Sequence, residues 1–119
     1  MICRRLTLLP RRRSLAARRL LEGCFPEHGV IIARYGGEEF TVVLPGHDRD
    51  MALRRAETLR GAIAARAFDT EAGAIAITVS IGVAAVDPPA ILGAAELRKR
   101  SDDALYAAKR SGRNRVVAG

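Results

Sequence analysis

Residues 34–40 read RYGGEEF, two glycines and two adjacent glutamates set between apolar runs. Val30-Ile31-Ile32-Ala33 precede the glycines and Phe40-Thr41-Val42-Val43-Leu44 follow the glutamates. Both flanks have the β-branched and aromatic content of strands. A Gly-Gly pair between two such runs predicts a tight hairpin turn, because glycine takes positive φ without steric cost. Taken alone, the segment has a bland reading as a turn with two solvated glutamates. The rest of the chain has to decide.

Beyond the hairpin, Asp48 to Ala67 reads as a helix. Asp48 or Asp50 can cap its start, and Leu53, Ala56, Leu59 and Ile63 recur at intervals of three and four. Residues 74–84, AIAITVSIGVA, read as one long strand. Ile75, Ile77, Val79, Ile81 and Val83 make a bulky face, while Ala76, Thr78, Ser80, Gly82 and Ala84 make a small one that accepts close approach. Pro88 and Pro89 interrupt the chain. Residues 94–110 then form a helix with Leu97, Ala104, Leu105 and Ala108 on one stripe; Gly112 stops it and RVV at 115–117 is a short last strand. Before the hairpin, Ser14 to Glu22 suggests a helix ended by Gly23 and Pro26. A mixed sheet with helices packed on it is predicted, α/β of the α+β, ferredoxin-like kind.

A chain of 119 residues, 49% hydrophobic and 28% charged, is one globular domain. No apolar run approaches the ~20 residues of a membrane span. Cys3 and Cys24 fit no metal or redox spacing, which suits reduced thiols in a cytoplasmic protein. The net charge of +7 is unevenly placed. Residues 1–21 hold seven arginines and no acid, and the remaining residues hold 13 bases and 13 acids. A basic arm (1–21) on a neutral body (22–119) argues against nucleic acid as the partner of the body.

Three separated segments carry a resemblance: RYGGEEF with VVLPG after it, then ITVSIGVA, then SDDALYAAKRSGRNRV. In that order and spacing they resemble the GGDEF family, the diguanylate cyclase domain of bacterial signalling, with its palm-like fold. The resemblance covers about residues 30–117. It implies condensation of two GTP into cyclic di-GMP with release of two pyrophosphates, performed by a homodimer in which each domain holds one GTP. Matched position by position, Gly36 and Gly37 let the hairpin backbone approach the nucleotide. Glu38 would ligate Mg²⁺ (or Mn²⁺) as a hard oxygen donor. Glu39 is the candidate to help deprotonate the attacking hydroxyl or bind a second metal. Lys109 and Arg113 match positions that contact the β- and γ-phosphates; without the resemblance they read as a solvated helix end. Leu105 and Tyr106 read as core contacts.

The departures lie at the start. The family opens with a strand and helix bearing D-x-D-x-F-K-x-x-N-D and then G-H-x-x-G-D, which supply a metal aspartate and the readers of the guanine edge. Residues 1–22 match neither pattern, and TLLPRRRSL stands where the second should fall. The expectation is therefore a domain truncated or altered at its N-terminus, lacking the first strand of the family fold. The gap left in the sheet would promote association. The arm has three readings: a replaced or shifted start, which is preferred, an evolved phosphate- or lipid-binding arm, and an organellar presequence. The R-x-x-D slots of the family's product-inhibition site hold Glu27, His28, Gly29 and Val30, so that inhibition is not expected, and His28 reads as a solvated loop residue. Two function classes follow: a diguanylate cyclase, impaired by its missing aspartates, and a non-catalytic nucleotide-binding or interaction module of the same fold.

Overall fold

A computed structural model describes residues 2–7, 11–35, 39–70, 73–86 and 92–119. Five strands form the main sheet: β1 (Ile2–Thr7), β2 (Ile31–Tyr35), β3 (Glu39–Val43), β6 (Ser80–Ala85) and β7 (Val116–Ala118), in the order β2-β3-β1-β6-β7. All neighbours are antiparallel except β6 and β7, which run parallel. Strands β4 (Ala67–Thr70) and β5 (Gly73–Ala76) pair as a separate antiparallel ribbon. Three helices complete the fold: α1 (Arg11–Cys24), α2 (Arg49–Ala64) and α3 (Ala94–Arg110).

The predicted class is found, an α/β palm-like domain, and the runs that flank Gly36-Gly37 pair as antiparallel strands, Tyr35 opposite Glu39; the turn itself lies outside the described residues. One expectation is corrected. The main sheet has no vacant position, because Ile2–Thr7 lies between β3 and β6 and pairs with both. Cys3 faces Val43 on one side and Ala84 on the other. Without that strand the backbone groups of β3 and β6 that now pair with it would lack partners, a cost a buried sheet cannot carry. Arg4 and Arg5 in the middle of a six-residue run disguise it from a hydrophobicity reading.

The strand expected over residues 74–84 is divided. Its first part pairs with β4, Ile77–Val79 belong to no strand, and the second part joins the main sheet as β6. The alternation nevertheless survives the break: Ile77, Val79, Ile81 and Val83 are all buried. Helix α2 ends at Ala64, three residues short of the expected Ala67, because the chain turns into the ribbon. Asp48 caps it as expected, its carboxylate accepting the Met51 amide at 2.8 Å. Helix α1 is longer than the expected 14–22, beginning at Arg11.

Packing follows from the two faces of β6. Its bulky residues join Phe40, Val42 and Leu44, Leu21 of α1, and Ala52, Ala56, Leu59 and Ile63 of α2 in one apolar cluster. Each large side chain there contributes about 1.5–3 kcal/mol by leaving water. The small face receives α3. A Cβ built on Gly82 would lie 2.2 Å from the Ser101 carbonyl and 2.4 Å from the Leu105 amide, so only glycine permits this approach. Ala84 and Leu97 meet beside it.

Candidate active site

The alternation of β3 sets the site. Phe40 points into the main core, 1% exposed, so Glu39 before it projects to the opposite face, where α3 lies. Helix α3 presents Asp102, Leu105, Tyr106 and Lys109 along one stripe, at the three- and four-residue intervals of a helical face. With Glu39 these four line a shallow cavity of about 170 Å³. The Lys109 ammonium lies 4.0 Å from Glu39 Oε1, and both side chains are half-buried. A second, open cavity of about 380 Å³, lined by Ala94, Ala95, Arg98, Lys99 and Asp102, adjoins the first at Asp102.

The geometry thus brings together two of the residues singled out in the sequence, Glu39 and Lys109. Arg113 follows one turn later, in the loop that leaves α3, and does not line the cavity. That loop has an unusual backbone: Gly112, Arg113 and Asn114 all have positive φ, at 123°, 63° and 46°. Gly112 is suited to ending a helix in this way. Arg113 bears a side chain, and such a conformation costs on the order of 1–3 kcal/mol and persists only where its surroundings impose it. The Arg113 amide donates to the Ala108 carbonyl at 3.0 Å, and the Ser111 amide and hydroxyl donate to Ala107 at 3.0 and 2.7 Å. Gly36, Gly37 and Glu38 lie outside the described residues.

Three residues of the region were missed or misplaced in the sequence reading. Asp102 stands two helical turns before Lys109, and that interval of seven was the signal that could have found it. Tyr106, read as a core contact, is 63% exposed. Arg110 lies over its ring at 5.5 Å. Leu105 alone of the pair is in the core, at 4% exposure. The third is Arg60, which reaches the strained loop from α2.

Among the described residues no three His, Cys, Asp or Glu side chains converge as a metal site. Glu39 and Asp102 share a cavity, but a lysine ammonium occupies the space beside the former. This donor set by itself does not suit a divalent cation, which takes several oxygen ligands.

On the far side of the hairpin, Glu27 is tied to Arg55 of α2. The guanidinium reaches Glu27 Oε1 at 2.6 Å, the Cys24 carbonyl at 2.8 Å and His47 Nε2 at 2.8 Å, and stands 4.7 Å from the Phe25 ring centre. Glu27's own backbone hydrogen bond, with Arg55 beside it, holds its carboxyl below the ordinary value. Burial pushes the Cys24 thiol up. His28 is exposed.

The family model described as "Diguanylate cyclase, GGDEF domain" matches residues 13–115. The chain belongs to the GGDEF family. It is similar to diguanylate cyclase DgcM of Escherichia coli, 46% identical over 103 residues that make up 87% of this chain and 24% of that protein. It is also similar to the response regulator PleD of Caulobacter vibrioides, 42% identical over 71% of this chain and 19% of that one. This GGDEF chain therefore spans about a quarter or less of the length of these curated relatives. Among solved structures, the active GGEEF domain of a diguanylate cyclase from Vibrio cholerae superposes with a TM-score of 0.83 and 27% identity. The match covers 98% of this chain, a share that must include most of β1, and 81% of the other. The GGDEF domain of DgcB from Caulobacter crescentus, solved with c-di-GMP, gives 0.76 and 28% identity over 98% and 77%. Among the described residues no helix is long and apolar enough to cross a membrane.

Proposed function

We propose that this chain is a diguanylate cyclase domain of impaired activity, working in the cytoplasm on GTP as one half of a homodimer. Each copy holds one GTP, and the 3′-hydroxyl of each attacks the α-phosphate of the other. A P–O bond forms as pyrophosphate leaves, and two such steps close the ring of cyclic di-GMP. Glu39 takes the hydroxyl proton, Lys109 and Arg113 hold the β- and γ-phosphates, and Gly36 and Gly37 let the backbone come close. In this reading Glu38 would ligate Mg²⁺ or Mn²⁺, whose contribution is to neutralise phosphate charge.

The observation that supports the reading is the placement of Glu39 and Lys109, a carboxylate and an ammonium 4.0 Å apart on one cavity wall. A candidate base and a phosphate-binding cation drawn from segments 70 residues apart meet at one place. The impairment has its own support. Strand β1 lies against the end of β3 that bears Glu39, with Thr7 opposite Glu39, and its sequence ICRRLT contains no carboxylate. The metal aspartate of the family pattern has no counterpart there. Product inhibition is not part of the proposal, because the arginine slot of R-x-x-D holds Glu27 and that residue is engaged by Arg55.

Chromatography of the products of GTP and Mg²⁺ tests this. The chain is expected to make cyclic di-GMP slowly, since each lost contact to a charged group costs on the order of 1.5–3 kcal/mol. Glu39→Gln should remove a further ~10²–10⁴-fold, the usual contribution of a general base. Turnover that is unaffected by Glu39→Gln would overturn the role of that residue. A complete lack of product, with GTP still bound, would favour the second reading, a non-catalytic nucleotide-binding module, for which the acid-free β1 is the specific observation.

A further inference from the structure

The strained loop after α3 is held from a distance. Asn114, at φ 46°, turns its side-chain carbonyl to Arg60 of α2, whose Nη1 donates to Asn114 Oδ1 at 2.9 Å. These residues are 54 positions apart in the sequence. The remaining arms of the Arg60 fork are fixed by Glu57, one turn earlier on the same helix: Nε donates to both carboxylate oxygens at 3.0 Å, and Nη2 pairs with Oε1. The Glu57 hydrogen bond pushes the Arg60 guanidinium further toward its charged form and holds the Glu57 carboxyl below its ordinary value. A planar guanidinium clamped on one edge points its free N–H groups in a defined direction. That direction is Asn114.

Between Asn114 and α3 sits Arg113, whose backbone is tied on both sides. Its amide donates to Ala108 and its carbonyl accepts from Arg115 Nε, each at 3.0 Å. None of the contacts seen among the described residues uses its guanidinium. The backbone of Arg113 is thus fixed in a left-handed conformation while its charged end is left for something else. We propose that Arg60, oriented by Glu57, is a positioning residue: through Asn114 it holds the loop that presents the Arg113 guanidinium to the phosphates of a bound nucleoside triphosphate. This rests on the phosphate-binding role given to Arg113 above. The physical gain is preorganisation, since a loop already in its bound shape loses less freedom when ligand arrives.

The test has two arms, both on the full chain. Amide exchange read by NMR should be about tenfold faster at Arg113 in Arg60→Ala and in Asn114→Gly, with the core amides of β6 unchanged. Glycine tolerates the left-handed backbone, so Asn114→Gly removes the side-chain acceptor without straining the loop, and Arg60→Ala removes the same contact without adding backbone freedom at Asn114. Calorimetry with Mg²⁺ and GTP should show Arg60→Ala weakening binding about tenfold in the wild-type background and hardly at all in an Arg113→Ala background. Unchanged exchange at Arg113 in both variants overturns the proposal. So does a loss of affinity on Arg60→Ala that is equally large without Arg113, which is the result of a general structural defect. If Arg113→Ala itself binds GTP as well as wild type does, the phosphate-binding role falls and the proposal with it. The exchange arm would then still tell whether Arg60 anchors the loop.

Discussion

Glu27 and Glu57 are both exposed carboxylates facing an arginine, and both are held below their ordinary values. For Glu27 the larger cause is its own backbone hydrogen bond; for Glu57 it is the hydrogen bond from Arg60. A carboxyl lower in the folded chain than in the unfolded one adds stability that is complete above the unfolded value, about 4.3 for glutamate. That stability is lost as pH falls through the lowered folded value. Melting temperatures taken from neutral pH down through the carboxylate range should therefore drop more steeply in the wild type than in the double variant Glu27→Gln, Glu57→Gln. The difference should shrink in high salt, because exposed pairs are screened. Parallel curves would show that neither pair contributes measurably. At this scale the sequence singled out Glu39 and Lys109, which share one cavity, since each stands in a motif with neighbours that explain it. It hid Asp102 and Arg60, whose meaning depends on which helix faces which loop.

Helix α3 seats on β6 through a single missing side chain. Adding a methyl at Gly82 drives it into the backbone of Ser101 and Leu105, which cannot swing aside as a side chain could. Gly82→Ala should cost about 1–3 kcal/mol or more, read as a lower urea midpoint, because the whole helix must lift from the sheet. Gly61→Ala is the contrast. It lies in α2 with nothing within 4 Å, and the better helix former should stabilise by up to ~1 kcal/mol. Equal effects at the two sites would refute the packing argument. Helix α3 was legible to the residue, since its apolar stripe and its stop at Gly112 agree on the same bounds. The division between β5 and β6 was not, because the alternation of bulky and small residues runs unbroken through Ile77–Val79 where pairing changes from one sheet to another. Periodicity reports which way a side chain faces and is silent on which neighbour the backbone bonds.

The whole sheet depends on β1. A reading in which residues 1–21 are a basic arm and the first strand is missing implies a vacant strand position that makes the chain associate. With Ile2–Thr7 paired on both sides, the consequences reverse. Deleting residues 2–7 should create the gap: cooperative melting is lost or strongly lowered, and the protein self-associates in sedimentation, since β3 and β6 then offer unpaired edges to other chains. A variant that keeps the wild-type melt and stays monomeric would show that β1 adds nothing to the sheet. Two adjacent arginines obscured this strand, as hydrophobic pattern is a poor guide where partners on both sides impose the backbone conformation.

The position of β1 also bears on the time course of folding. Its two neighbours are made at different moments, β3 ending at Val43 and β6 at Ala85. At synthesis rates of about 5–20 residues per second, β6 is completed roughly 2–8 s after β3. During that interval the nascent sheet can grow only as β2-β3-β1, with one side of β1 open. Until Ser80–Ala85 arrive that side of β1 is an unpaired edge, the kind on which another chain can add a strand, so the order of synthesis sets how long the edge stays exposed.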